Sequence, residues 1–130
     1  MNLLLDTNAY RDFCEGRPAM VSIIQKARTI ALPFVVLAEL RAGFACGTLA
    51  RRNEGILVRF LNASRVRVLY PDENTTHHFG RLYHQLRKQG TPIPAHDIWI
   101  AALAAQHDLL LASRDRHFDH LPQLARVDMT

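Results

Sequence analysis

Short apolar runs recur along this chain, always separated by more than twenty residues. The runs are Asn2 to Leu5, Thr29 to Leu32, Arg65 to Leu69 and Leu109 to Ala112. Antiparallel neighbours can be joined by a two-residue hairpin, whereas parallel ones need a crossover of about a dozen residues or more, usually helical. The spacing therefore predicts a parallel sheet whose right-handed crossovers lay helices on both faces. At 130 residues the chain has room for one such domain, 1–130. Its 48% hydrophobic and 22% charged composition excludes a disordered or fibrous chain.

The intervening segments read as helices. Asp6, Thr7 and Asn8 stop the first run with helix-capping residues, and Pro18 opens a helix to about Arg28, with Met20, Ile23, Ile24 and Ala27 at helical spacing. Phe34 to about Gly43 and Leu49 to Asn62 predict a helical arm, and Asp72 or Asn74 caps a helix to about Lys88. Gly90, Pro92 and Pro94 make Gln89 to Ala95 a loop. Asp97 to Gln106 is apolar all round, so it belongs inside the fold. Arg65 to Leu69 alternates charge with apolar groups, as an edge strand does, and Arg126 to Asp128 is a possible last strand.

Parallel sheets bind ligands beyond the carboxyl ends of their strands. Asp6 and Asp115 both lie there, Asp97 begins the apolar helix, and Glu39 sits among Val35, Val36, Ala42 and Gly43, where an ionised carboxylate needs a partner. Each has a plainer alternative, since Asp6 and Asp97 suit helix caps and Asp115 suits a turn. Together at one rim they would repel one another and raise one another's pKa values unless a cation neutralised them. An all-oxygen set suits Mg²⁺ or Mn²⁺ rather than zinc. Sixteen basic residues, fourteen of them Arg, against twelve acidic give +4, which adds a pull toward nucleic acid. Acids and basic charge together point to metal-assisted phosphodiester hydrolysis.

Leu3, Leu4 and Leu5 running into Asp6, Thr7 and Asn8; Ala38, Glu39 and Leu40 with Gly43; Asp97 to Ala102; and Ser113 to Phe118 stand in an order and spacing that resembles the PIN-domain family. In particular it resembles the VapC-type toxins of prokaryotic toxin–antitoxin pairs. The resemblance spans Asn2 to about Asp128. It implies an α/β three-layer sandwich, α/β/α around a central parallel sheet, and an Mg²⁺- or Mn²⁺-dependent ribonuclease that cleaves tRNA or other structured RNA. Carried over, the metal-binding and catalytic acids are Asp6, Glu39, Asp97 and Asp115, with Asp119 the alternative for the last, and Thr7 and Ser113 support them through their hydroxyls, with Asn8 alongside. The implied partners are RNA, a small VapB-like antitoxin whose tail enters the active site, and a second copy in a homodimer.

Two other readings compete. A receiver-type phosphoacceptor domain predicts a lysine beyond the last strand, whereas Lys26 and Lys88 lie upstream; a catalytically silent RNA-binding or scaffold module keeps basic charge and loses acids. His77, His78, His84, His117 and His120 lack a metal-ligand pattern and read as solvated, although His117 with Arg114 and Arg116 is placed to touch RNA phosphate. Cys14 and Cys46 are too few for a disulfide scaffold, there is no signal-peptide stretch, and no apolar run reaches the roughly 20 residues of a membrane span, so the expected location is the cytoplasm.

Overall fold

The computed structural model describes residues 1–128. Four parallel strands form one sheet: β1 (Asn2–Leu5), β2 (Thr29–Pro33), β3 (Val66–Leu69) and β4 (Leu110–Ala112), in the spatial order β3-β2-β1-β4. Leu3 stands opposite Ile30 on one side and Leu110 on the other, and Ile30 stands opposite Val66. β3 is an edge strand, as its alternating charges predict. The final strand expected over Arg126 to Asp128 is reduced to a single parallel bridge between Leu111 and Arg126.

Six helices make the crossovers: α1 (Thr7–Cys14), α2 (Pro18–Lys26), α3 (Phe34–Cys46), α4 (Ala50–Leu61), α5 (Glu73–Gln89) and α6 (Ala95–Gln106). The chain steps from β1 to β2 to β3 in one direction and then crosses back beyond β1 to β4. With right-handed crossovers that reversal puts α5 and α6 on the face opposite α1 to α4, giving three layers. It also makes the gap between β1 and β4 the point where connections diverge.

The elements follow from local chemistry. Asp6 accepts a hydrogen bond from the Ala9 amide at 2.8 Å and so starts α1, a short helix that the sequence reading left undrawn. α3 continues past Gly43 to Cys46, because Phe44 packs against the core and keeps the last turn attached. In α5 the Asp72 carboxylate takes the Thr75 amide while the Thr75 hydroxyl takes the Asp72 amide, and Gly90 ends the helix at φ 71°, a left-handed conformation that costs glycine little. α6 is inside, as expected: Ile98, Ile100, Ala101, Ala102 and Leu103 are all buried in the core. Each fully buried large aliphatic side chain contributes about 1.5–3 kcal/mol relative to exposure, so α6 anchors whatever its first turn carries.

Candidate metal centre

The four acids arrive from four different elements. Asp6 leaves the end of β1, Asp115 follows β4, Glu39 lies in the second turn of α3, and Asp97 lies in the first turn of α6. All four line one cleft of about 340 Å³, with Thr7, Asn8, Arg11, Ala42, His96 and Ile100 completing its wall. The cleft opens beyond the carboxyl ends of the neighbouring strands β1 and β4, the position that parallel topology favours for ligands.

Asp6 is 5% exposed and has a partner on each oxygen: Oδ1 accepts from the Ala9 amide and Oδ2 from the Ser113 hydroxyl. It is therefore a helix cap and a cleft carboxylate at once. Burial pushes its pKa up, the Ser113 and Ala9 hydrogen bonds oppose that, and Asp115 and Asp97 add to the rise. Asp97 is raised chiefly by burial and further by Asp115, with His96 and His117 pulling it back. Its place near the positive end of α6 offsets part of the burial cost. Asp115 receives the His117 amide at 2.9 Å, and its own amide donates to Ser113 Oγ at 3.0 Å, so Ser113 ties the two strand ends together.

Glu39 differs from the sequence expectation. Its side chain is 40% exposed rather than enclosed by the apolar groups of α3, because among its neighbours one turn away only Val36 is buried while Ala42 and Gly43 are exposed, Ala42 lining the cleft beside it. The Thr7 hydroxyl donates to Oε2 at 3.2 Å, while Oε1 is shielded from solvent without a hydrogen-bond partner. Asn8 lines the cleft and is exposed.

Asp119, the alternative last acid, is absent from the cleft wall. It pairs with Arg126 Nη1, 61% exposed, because the 3-10 turn Arg116–His120 carries it away around buried Phe118. Arg114 has a partner within the chain: its guanidinium, 55% exposed, grips the buried Asp12 carboxylate with two hydrogen bonds, at 2.9 and 3.1 Å. Arg116 remains exposed. His117 is neither merely solvated nor turned to the surface alone, since Nδ1 lies 2.8 Å from Asp97 Oδ2 and 3.2 Å from Asp115 Oδ1.

The sequence reading did not single out Arg11, His96, Asp12 or Arg126. His96 Nε2 lies 3.2 Å from Asp97 Oδ1, a proximity signalled only by its adjacency in sequence. Arg11 sits one helical turn beyond Asn8, and Gly43 leaves it space: a Cβ there would come within 3.2 Å of its guanidinium. Arg126 donates to the Ser113 and Asp115 carbonyls and so fixes the loop after β4, a contact nothing local foretells.

The donor set suits a divalent cation. It offers carboxylate oxygens, one of them orphaned, two carboxyls pushed upward by burial and mutual repulsion, and a close group of Asp97, Asp115 and His117 whose ligand atoms lie within 4.8 Å of one another. A cation would relieve all of these.

Comparison with known proteins places the chain in a family. The chain is 32% identical over 135 aligned positions to ribonuclease VapC1 of Haemophilus influenzae (strain R2866), covering 100% of this chain and 99% of the relative. It is 26% identical to the tRNA(fMet)-specific endonuclease VapC of Salmonella typhimurium, covering 98% of each. Its fold matches that of VapBC-1 from nontypeable Haemophilus influenzae with a TM-score of 0.86 at 27% identity, over 99% of this chain and 98% of that one. The PIN domain model matches residues 3–124, and this chain belongs to the PIN-domain family.

Proposed function

We propose that this protein is a metal-dependent endoribonuclease, the toxin of a toxin–antitoxin pair, which hydrolyses phosphodiester bonds in tRNA or another structured RNA. The observation that carries this reading is the convergence of Asp6, Glu39, Asp97 and Asp115 from four elements on one cleft. Asp6, Glu39, Asp97 and Asp115 would hold Mg²⁺ or Mn²⁺. When bound, such an ion neutralises phosphate charge and acidifies a water for attack on phosphorus.

The chain's own residues prepare that chemistry. The Ser113 hydroxyl and the Ala9 amide fix both oxygens of Asp6, and Thr7 orients Glu39 through Oε2. Such supporting hydrogen bonds hold ligands in position before the ion arrives. Arg11 in the cleft wall offers a guanidinium to substrate phosphate, a geometry that suits its planar fork. The cleft contains no lysine, which removes the phosphoacceptor reading, and its complete acid set disfavours a silent module.

A second cleft of about 320 Å³, walled by Tyr10, Leu40, Phe44 and Ile56, shares Arg11 with the first. A VapB-like antitoxin segment lying there reaches the acids directly. A homodimer is the oligomeric state that the VapC resemblance implies. Among the described residues no helix is long and apolar enough to cross a membrane, in keeping with a proposed cytoplasmic site of action.

The test is purified protein incubated with total tRNA and Mg²⁺ or Mn²⁺. Cleavage is expected to disappear with a chelator and in Asp6→Asn, whose amide preserves the cap and removes the charge. Cleavage that survives both treatments overturns the mechanism.

A further inference from the structure

We propose that His117 is a nitrogen donor to the metal centre, making it a mixed carboxylate–imidazole site that favours Mn²⁺ over Mg²⁺. This inference rests on the metal-dependent reading above and goes beyond it, because the four acids alone would make an all-oxygen site.

Three atoms carry the argument. His117 Nδ1, Asp97 Oδ2 and Asp115 Oδ1 face one another, with Nδ1 at 2.8 and 3.2 Å from the two oxygens. A cation placed where these three atoms face one another would take the lone pairs of all three. The group is also held in place beforehand. Phe118, the next residue, is buried at 1% exposure, the His117 amide is bonded to Asp115, and Arg126 holds the carbonyls of Ser113 and Asp115. Independently, Glu39 Oε1 on the same wall is shielded from solvent without a hydrogen-bond partner, a lone pair that a cation would satisfy. His96 approaches the other oxygen of Asp97, Oδ1, so the two imidazoles can be separated by substitution. Imidazole nitrogen suits first-row transition ions, whereas Mg²⁺ keeps to oxygen and water.

Pulsed electron paramagnetic resonance of the Mn²⁺-loaded protein, with Mn²⁺ and Mg²⁺ affinities measured by calorimetry, reads the donor directly. The expected result is ¹⁴N modulation in the parent protein, retained in His96→Ala and lost in His117→Ala. The preference for Mn²⁺ over Mg²⁺ should shrink roughly tenfold in His117→Ala, the lower end of what disturbing a metal site's support costs. His117 is 46% exposed, so its truncation leaves the core intact, which circular dichroism and the thermal midpoint check. Mn²⁺ bound without nitrogen modulation, or modulation that persists in His117→Ala, overturns this inference while leaving the acid centre standing. A parent protein that binds Mg²⁺ but not Mn²⁺ overturns this inference alone, and one that binds neither overturns both.

Discussion

Glu39 Oε1 is a carboxylate oxygen removed from solvent with no donor to meet it; His96 Nε2, at 4.0 Å, is too distant for a hydrogen bond. A buried acceptor left unsatisfied costs about 1–3 kcal/mol, more when charged. That cost makes sense if a ligand removes it. Glu39→Gln keeps the shape and deletes the charge, so the metal-free variant should resist denaturant at least as well as the parent, while calorimetry should show Mg²⁺ or Mn²⁺ binding roughly tenfold weaker or worse. A variant that unfolds instead would make Glu39 a structural residue. Asp12 illustrates the opposite case at the same scale. It is buried at the far end of α1, yet its carboxylate is fully met by Arg114 and by Arg17 at 3.3 Å, so it asks for no ligand.

Among the elements, α5 shows most clearly how a helix end couples to tertiary structure. Asp72 caps its N-terminus and also accepts from the Gln106 amide at 2.9 Å, linking α5 to the end of α6. The hydrogen bond from Gln106, followed by that from the Thr75 amide, holds the Asp72 carboxyl below the usual aspartate range. A carboxyl depressed in the folded state stabilises it above the unfolded pKa, and that contribution fades as pH falls through the folded value. Asp72→Ala should therefore lower the thermal midpoint by a few degrees at neutral pH. The gap to the parent should close as the pH is taken below the ordinary aspartate pKa of about 3.9. Thermal scans over that range check it; a gap that stays constant to acid pH would assign the effect to something other than the carboxylate. The loop after β4 is the second coupled element: Arg126 draws Asp119 outward and the backbone of Ser113 and Asp115 inward in one set of contacts.

Across the whole molecule, charge is sorted by place rather than balanced. The net +4 is a sum over thirteen Arg outside the cleft and a cleft holding Arg11 with four of the twelve acids. Cations bound in the cleft would cancel those acids, leaving RNA to meet a more positive surface than +4 suggests. Binding of RNA by the Asp6→Asn protein should then weaken steeply with salt. For three phosphate contacts on a single strand, at a slope of about −0.7 each, the affinity falls about 20-fold between 50 and 200 mM. Fluorescence anisotropy at several salt concentrations measures that slope, and an affinity indifferent to salt would refute an electrostatic footprint. The order β3-β2-β1-β4 serves the same separation, since it gathers the acids beyond the carboxyl ends of β1 and β4 and leaves β3, with exposed Arg67, at the far edge.

Sequence alone was sufficient for the parallel sheet and for the order of the four acids along it. Apolar runs separated by long amphipathic or apolar segments leave a parallel crossover as the economical connection, and an acid ending such a run stands at the strand's carboxyl end by construction. It did not reveal α1, because eight residues make only about two turns, too short a stretch for its apolar face to stand out, and so short a helix is stabilised by packing more than by propensity. Only the tertiary structure decided which charges meet. Arg114 pairs with Asp12 across 102 residues, His117 with Asp97 across 20, and Asp119 leaves the cleft for Arg126. The reason is physical: local patterning records which face of an element is apolar, whereas the partner of a charged group depends on how elements rotate and shift against one another, which the packed core sets.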